Sequence, residues 1–198
     1  MRLLAVSTML LLLLGCGAPA PSATPTATPT ATTPPATTPA TSGPTSEPSG
    51  NLGEFECQLP VHIASTAATQ THLTDIRIAS HQGYDRIVWE FDTGTPEIDM
   101  RQGIPPFTTD PADQPLPVDG NAFLQITFRG ASRGGADGPV TYDGSTDFNP
   151  LISELVMLRM AGDFEATMTW VAGLWDPACF DLFTLDGPSR VVLDLAGQ

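Results

Sequence analysis

The feature that most limits what this chain can become is an alternation of period two, repeated in short runs through its second half. Thr74 to Ala79 sets Ile76 and Ile78 against Asp75 and Arg77. Tyr84 to Asp92 sets Ile87, Trp89 and Phe91 against Arg86, Val88, Glu90 and Asp92. Ile98 and Met100 alternate within Glu97 to Gln102, and Phe123 to Arg129 sets Leu124, Ile126 and Phe128 against Phe123, Gln125 and Thr127. Met168–Leu174, Phe180–Leu185 and Arg190–Leu195 read the same way. Successive side chains of a strand point to opposite faces, so this pattern describes half-buried strands and not helices.

Gly and Pro clusters separate the runs: His81-Gln-Gly83, Thr93-Gly-Thr-Pro96, the glycines around 134–139, and Asp186-Gly-Pro188. Many short strands between turns predict an all-β domain, a single sandwich or barrel. It is assigned to residues 55–198, about 144 residues and enough to bury one core. Leu151–Ala161 is read as a strand, although Ile152, Leu155, Val156 and Met160 also fit one face of a helix. Gly103–Gly120 holds five prolines. It cannot be a central strand and is expected to be a long surface loop.

The N-terminal third has a different character. Met1-Arg2 gives a positive start, and Leu3–Leu14 is an apolar run of signal-peptide length, too short to remain as a membrane span. It ends in Leu13-Leu14-Gly15-Cys16, which resembles a bacterial lipobox with Leu where Ala, Ser or Thr is commoner. The expectation is a lipoprotein signal peptide over 1–15 and acylation of Cys16, palmitate chains among the lipids, because two or more chains anchor where one is marginal. Residues 16–54 are nearly all Ala, Pro, Thr, Ser and Gly, with too little apolar surface to offset ordering entropy. That segment reads as a disordered linker, spanning on the order of 100 Å if fully extended as polyproline II. The chain is therefore expected to be exported and held by lipid on the outer face of the cell membrane or elsewhere in the envelope.

Beyond Cys16, two cysteines remain, Cys57 and Cys179. In an oxidising compartment an even pair is expected to form a disulfide, the alternative being two buried thiols. A second long-range expectation comes from an internal echo, Arg86-Ile-Val-Trp-Glu-Phe91 against Arg190-Val-Val-Leu-Asp-Leu195. If these strands pair antiparallel with Val88 opposite Val192, Arg86 faces Asp194 and Glu90 faces Arg190.

Charge narrows the function. Eight basic residues, all arginine, stand against 22 acids, a net charge of -14. Binding nucleic acid requires neutralising phosphates, so no nucleic-acid partner is expected. Catalytic patterns are thin. Gly130-Ala-Ser132-Arg-Gly134 matches a nucleophile elbow in letters, but a Gly-rich turn follows where a helix should, and His62, His72 and His81 all precede Ser132. Those histidines, with Cys57 or Asp75, have no zinc-site spacing. Asp143, Ser145, Asp147, Asn149 and Glu154 imitate a calcium loop, but Phe148 replaces its glycine. No catalytic residue, metal or cofactor is expected.

The segments Gly83–Asp92 (GYDRIVWEFD), Phe123–Ala131 (FLQITFRGA), Thr167–Leu174 (TMTWVAGL) and Pro188–Gly197 (PSRVVLDLAG), in this order, resemble the AMIN-like domain of bacterial envelope lipoproteins. The closing Arg-Val-Val-Leu-Asp-Leu is also similar to the end of the AMIN domain of cell-wall amidases and secretins. The resemblance covers most of residues 70–197. It implies a β-sandwich that localises to the envelope by binding peptidoglycan or an envelope partner, without an amidase's catalytic domain. Trp89 alternates with Ile87 and Phe91 and belongs to the core. Trp175, beside Asp176-Pro177, is expected nearer the surface. Trp175 and Asp176 are the candidate ligand-binding residues, suited to an envelope glycan; the alternative is an envelope protein docking on a sheet edge or on the 103–120 loop.

Overall fold

In the computed structural model the described residues are 53–134 and 138–196, and the expected signal peptide, Cys16 and the expected linker up to residue 52 lie outside them. Among the described residues there are strands and no helix, so none is long and apolar enough to cross a membrane. One sheet has six strands in the order β1 (Val61–Ile63), β4 (Glu97–Gln102), β7 (Ala122–Arg129), β11 (Thr167–Leu174), β10 (Leu155–Phe164) and β9 (Asp147–Phe148), each antiparallel to its neighbour. The other runs β12 (Cys179–Leu185), β13 (Ser189–Ala196), β3 (Tyr84–Phe91), β2 (Thr71–His81) and β8 (Ala131–Ser132), with only the β2–β8 pair parallel. A small ribbon, β5 (Phe107–Thr108) with β6 (Pro115–Leu116), lies within the proline-rich loop.

The two sheets face each other across the core, with the parity read from the sequence. Ile87, Trp89 and Phe91 of β3 and Val191, Leu193 and Leu195 of β13 point inward from one sheet. Ile98, Met100, Leu124, Ile126, Phe128, Met168 and Trp170 meet them from the other. Trp89 is fully buried and stands edge-on to Phe128, with ring centroids 5.3 Å apart. Aromatics offset in this way add roughly 0.5–1.5 kcal/mol to the area they bury.

The pairing of β3 with β13 has the expected register: Val88 lies opposite Val192, Asp194 opposite Arg86, and Arg190 opposite Glu90. Arg86 grips Asp194 with two hydrogen bonds, Nε to Oδ1 at 2.6 Å and Nη2 to Oδ2 at 2.7 Å. The second charge pair does not form. Glu90 accepts from Arg77 of the neighbouring strand at 2.9 Å, while Arg190 turns to the Pro188 carbonyl. Arg77 wins because β2 lies on the other side of β3 and bears its guanidinium on the same outer face.

Cys57 and Cys179 form a disulfide. It fastens the segment before β1 to the edge of the second sheet, where Glu56 and Phe180 exchange backbone hydrogen bonds of 2.7 and 2.8 Å. The strand expected over 151–161 starts later and runs further, from Leu155 to Phe164. Residues 151–154 form a turn, because the buried Asp85 carboxylate takes the Glu154 and Leu155 N–H groups at 2.6 and 3.0 Å and ends the ladder there.

The proline-rich segment is a surface loop, but it lies flat on the outer side of the six-stranded sheet. Asp110 N–H donates to the Ala161 carbonyl at 2.7 Å, and Arg159 donates to the Pro117 carbonyl at 2.7 Å. Two glycines in the strands beneath make room. A Cβ on Gly162 would lie 2.9 Å from the Asp110 Cβ, and one on Gly173 would collide with the Asp119 carbonyl. Phe107 packs edge-on against Phe123 at 5.3 Å.

Candidate functional site

Trp175 follows the last residue of β11, where the chain leaves the sheet for the 175–178 turn. Four hydrogen bonds fix its position. Its backbone N–H donates to the Glu154 carbonyl at 3.0 Å and its indole Nε1–H to the Ile152 carbonyl at 2.9 Å. Its own carbonyl accepts from Asn121 Nδ2 at 2.8 Å, and Asn121 N–H donates to the Leu174 carbonyl at 2.8 Å. The residue nevertheless remains 43% exposed. The polar edge of the indole is thus spent on the protein, while apolar surface stays in water and costs free energy there.

The turn that receives these bonds is held by Asp85, whose carboxylate is buried against the Glu154 and Leu155 N–H groups. Asp85 Oδ1 has no hydrogen-bond partner among the described residues. Asp85 shares strand parity with Ile87, Trp89 and Phe91, and an acid on that apolar face was the sequence signal for this role. Asn121, Ile152 and Glu154 carry no such signal, since their part is played mainly by main-chain atoms. Burial raises the Glu154 carboxyl pKa, and the charges of Asp85 and Asp176 raise it further. Asp176, the next residue, is exposed. A held, partly exposed indole with carboxylates on nearby residues suits a ligand with an apolar face and hydroxyl donors at its rim, as a pyranose has.

The other candidate chemistries come apart in the structure. The Ser132 hydroxyl is buried, donates to the Gly134 carbonyl and accepts from Gln70 Nε2, both at 2.8 Å. His72 is in register with Ser132 and its Nδ1 contacts Asp92 at 2.9 Å, but no hydrogen bond joins the imidazole to Ser132. Asp92 is raised by burial, yet the His72 backbone and ring and the Thr71 and Thr93 hydroxyls outweigh this and hold it at about 2. The three histidines stay apart: His62 on Asp99, His72 on Asp92, and His81 stacked on Tyr84 at 4.7 Å. His62, Glu97 and Asp99 could together reach one cation. The Arg129 guanidinium already supplies positive charge there, donating to Glu97 at 2.8 Å and to Asp99. In the calcium-like run, Asp147 is occupied by Arg159, with bonds of 2.9 and 2.6 Å.

The model of the AMIN-like domain family matches residues 71–197. The chain belongs to the AMIN-like domain family. That match runs from the first residue of β2 to the end of β13 and includes every strand of both sheets except β1. AMIN-like domains are binding modules of exported envelope proteins and not catalysts. No curated protein and no solved structure matches the chain.

Proposed function

We propose that this protein is a non-catalytic lipoprotein, tethered to the membrane through Cys16, whose AMIN-like domain binds peptidoglycan or another envelope glycan at Trp175 and Asp176. The Ala/Pro/Thr/Ser linker over 16–54 gives the domain its reach from the lipid into the wall. The observation that carries the reading is Trp175, its indole fixed by the N–H to the Ile152 carbonyl while the residue stays 43% exposed. Holding the ring in one orientation before binding lowers the entropy lost when a sugar stacks on it.

The test is sedimentation of the full chain with protein-free peptidoglycan. The reading expects the chain to pellet and Trp175→Ala to weaken pelleting. A second reading is a protein partner, favoured by Ile104, which is 77% exposed on the proline-rich loop. No pelleting by the wild-type chain, with loss of a partner on Ile104→Ser, would support that reading in its place.

A further inference from the structure

A groove of about 500 Å³ lies on the outer face of the six-stranded sheet, over β4, β7 and the start of β11. Alternation puts polar side chains there, because Ile98, Met100, Ile126, Phe128 and Met168 enter the core. Across the ladder Arg101 stands opposite Gln125, Asp99 opposite Thr127, and Arg129 between Glu97 and Thr167. The proline-rich loop covers the same sheet face near Gly162 and Gly173 and contributes no lining to this groove.

The two arginines of the groove differ. Arg129 is committed to Glu97 and Asp99, and Asp99 also takes His62 at 3.0 Å. Arg77, Arg86, Arg133 and Arg159 likewise hold carboxylates. Arg101 is exposed and has no carboxylate within ion-pair distance among the described residues; Nη2 donates to Gln125 Oε1 at 3.2 Å. Arg190, which donates to the Pro188 carbonyl, shares this lack of a carboxylate among the described residues but does not line the groove. Guanidinium carries five donors in a planar fork that matches a carboxylate, and the hydroxyls of Thr127 and Thr167 line the same groove.

We propose that this groove is an acidic-sugar subsite: Arg101, positioned by Gln125, receives the ligand's carboxylate, and Thr127 and Thr167 receive its hydroxyls. The proposal rests on the envelope-glycan reading for its class of ligand. A peptide added to a sheet edge is held by free backbone groups. Here β7 is paired along both sides and β4 is covered by β1 over Ile98–Met100, so recognition falls mainly to side chains, which suits a polyhydroxylated ring. The groove and Trp175 lie toward opposite ends of β7, which runs roughly 25 Å. The net charge of -14 repels a distant acid only weakly, because screening removes most of that field beyond about 8 Å at physiological ionic strength.

The test compares N-acetylmuramic acid with N-acetylglucosamine, which lacks the lactyl carboxylate, by amide chemical shifts of the full chain in detergent micelles. The acid should move the resonances of Arg101, Gln125 and Thr127 and bind about tenfold more tightly than the neutral sugar, the scale of one charge-assisted hydrogen bond. Arg101→Gln should abolish that preference without disturbing shifts elsewhere, and Arg101→Lys should retain part of it. Equal binding of both sugars, or a preference that survives Arg101→Gln, overturns the subsite. Shifts confined to Trp175 overturn the subsite and leave the platform standing. Silence from both sugars together with failure to pellet on peptidoglycan removes both readings. A response at Arg101 to acetyl-D-alanyl-D-alanine but not to the sugar acid gives the groove to peptide carboxylates and overturns the proposal.

Discussion

Asp194→Asn tests the energetics of the outer face of the second sheet. Asp194 is fully buried, and its two carboxylate oxygens take two donors of Arg86, itself buried, at 2.6 and 2.7 Å. Removing one partner of a buried ion pair costs about 3–5 kcal/mol. Arg86 keeps its contacts over the Tyr84 ring at 5.2 Å and the Phe183 ring at 5.8 Å, which favours the lower end, about 3 kcal/mol. One neighbour gains slightly: burial raises the Asp181 pKa, against the Gly53 N–H, and the Asp194 charge adds to the rise. A domain of this size is stable by about 5–15 kcal/mol, so the loss is large but does not unfold it outright. Urea unfolding of the full chain should show a midpoint lower by about 1–2 M with an unchanged slope. The double variant Arg86→Met/Asp194→Leu should recover most of the loss, because neither charge is then left buried alone. A loss below about 1 kcal/mol for Asp194→Asn, or a double variant no better than the single, would refute this reasoning.

Gly173→Ala should lift the proline-rich loop from the sheet, since its Cβ would collide with the Asp119 carbonyl; faster proteolysis within 103–120 is the readout, and unchanged cleavage contradicts it. Ala166→Gly should stabilise the chain by about 1 kcal/mol in urea, because Glu165 and Ala166 turn β10 into β11 at φ 49° and 55°, a region that disfavours a Cβ. Replacing Cys57 and Cys179 by Ser should lower stability by up to about 4 kcal/mol, as the bridge closes a loop with a sequence separation of 122. The depressed Asp92 pKa means that its contribution is present above pH 3.8 and is lost as pH falls toward 2. Asp99, drawn down by the His62 hydrogen bond against its burial and by Arg129, acts in the same sense. The unfolding midpoint should therefore drop between pH 4 and pH 2, and less steeply in Asp92→Asn.

Much of the sandwich was legible because the core-facing residues of most of its long strands recur with period two. The parity of β3, β7 and β13 followed from where Ile, Val, Phe and Trp recur, and the shared Arg-(Ile/Val)-Val-x-acid-apolar pattern fixed the β3–β13 register. Less was legible where main-chain atoms decide. The start of β10 depends on Asp85, some seventy residues away. The strands of two or three residues, such as β8 and β9, have too little sequence for any period to register. The loop's place on the sheet depends on Gly162 and Gly173, which look like ordinary strand glycines until something lies over them. At the candidate site, Trp175 was picked out by its type and by the turn that follows it. The bonds that hold it come from carbonyls of a turn at 152–154, and carbonyls leave no mark in a sequence.

The central claim, that this AMIN-like domain binds envelope glycan at Trp175, is tested most directly by sedimenting the full chain and its Trp175→Ala variant with protein-free peptidoglycan, with the folding of both checked in urea. The account predicts that the wild-type chain pellets and that the variant, still folded, pellets several-fold less. Equal pelleting of the two would contradict the assignment of the site, and no pelleting of the folded wild-type chain would contradict the claim itself.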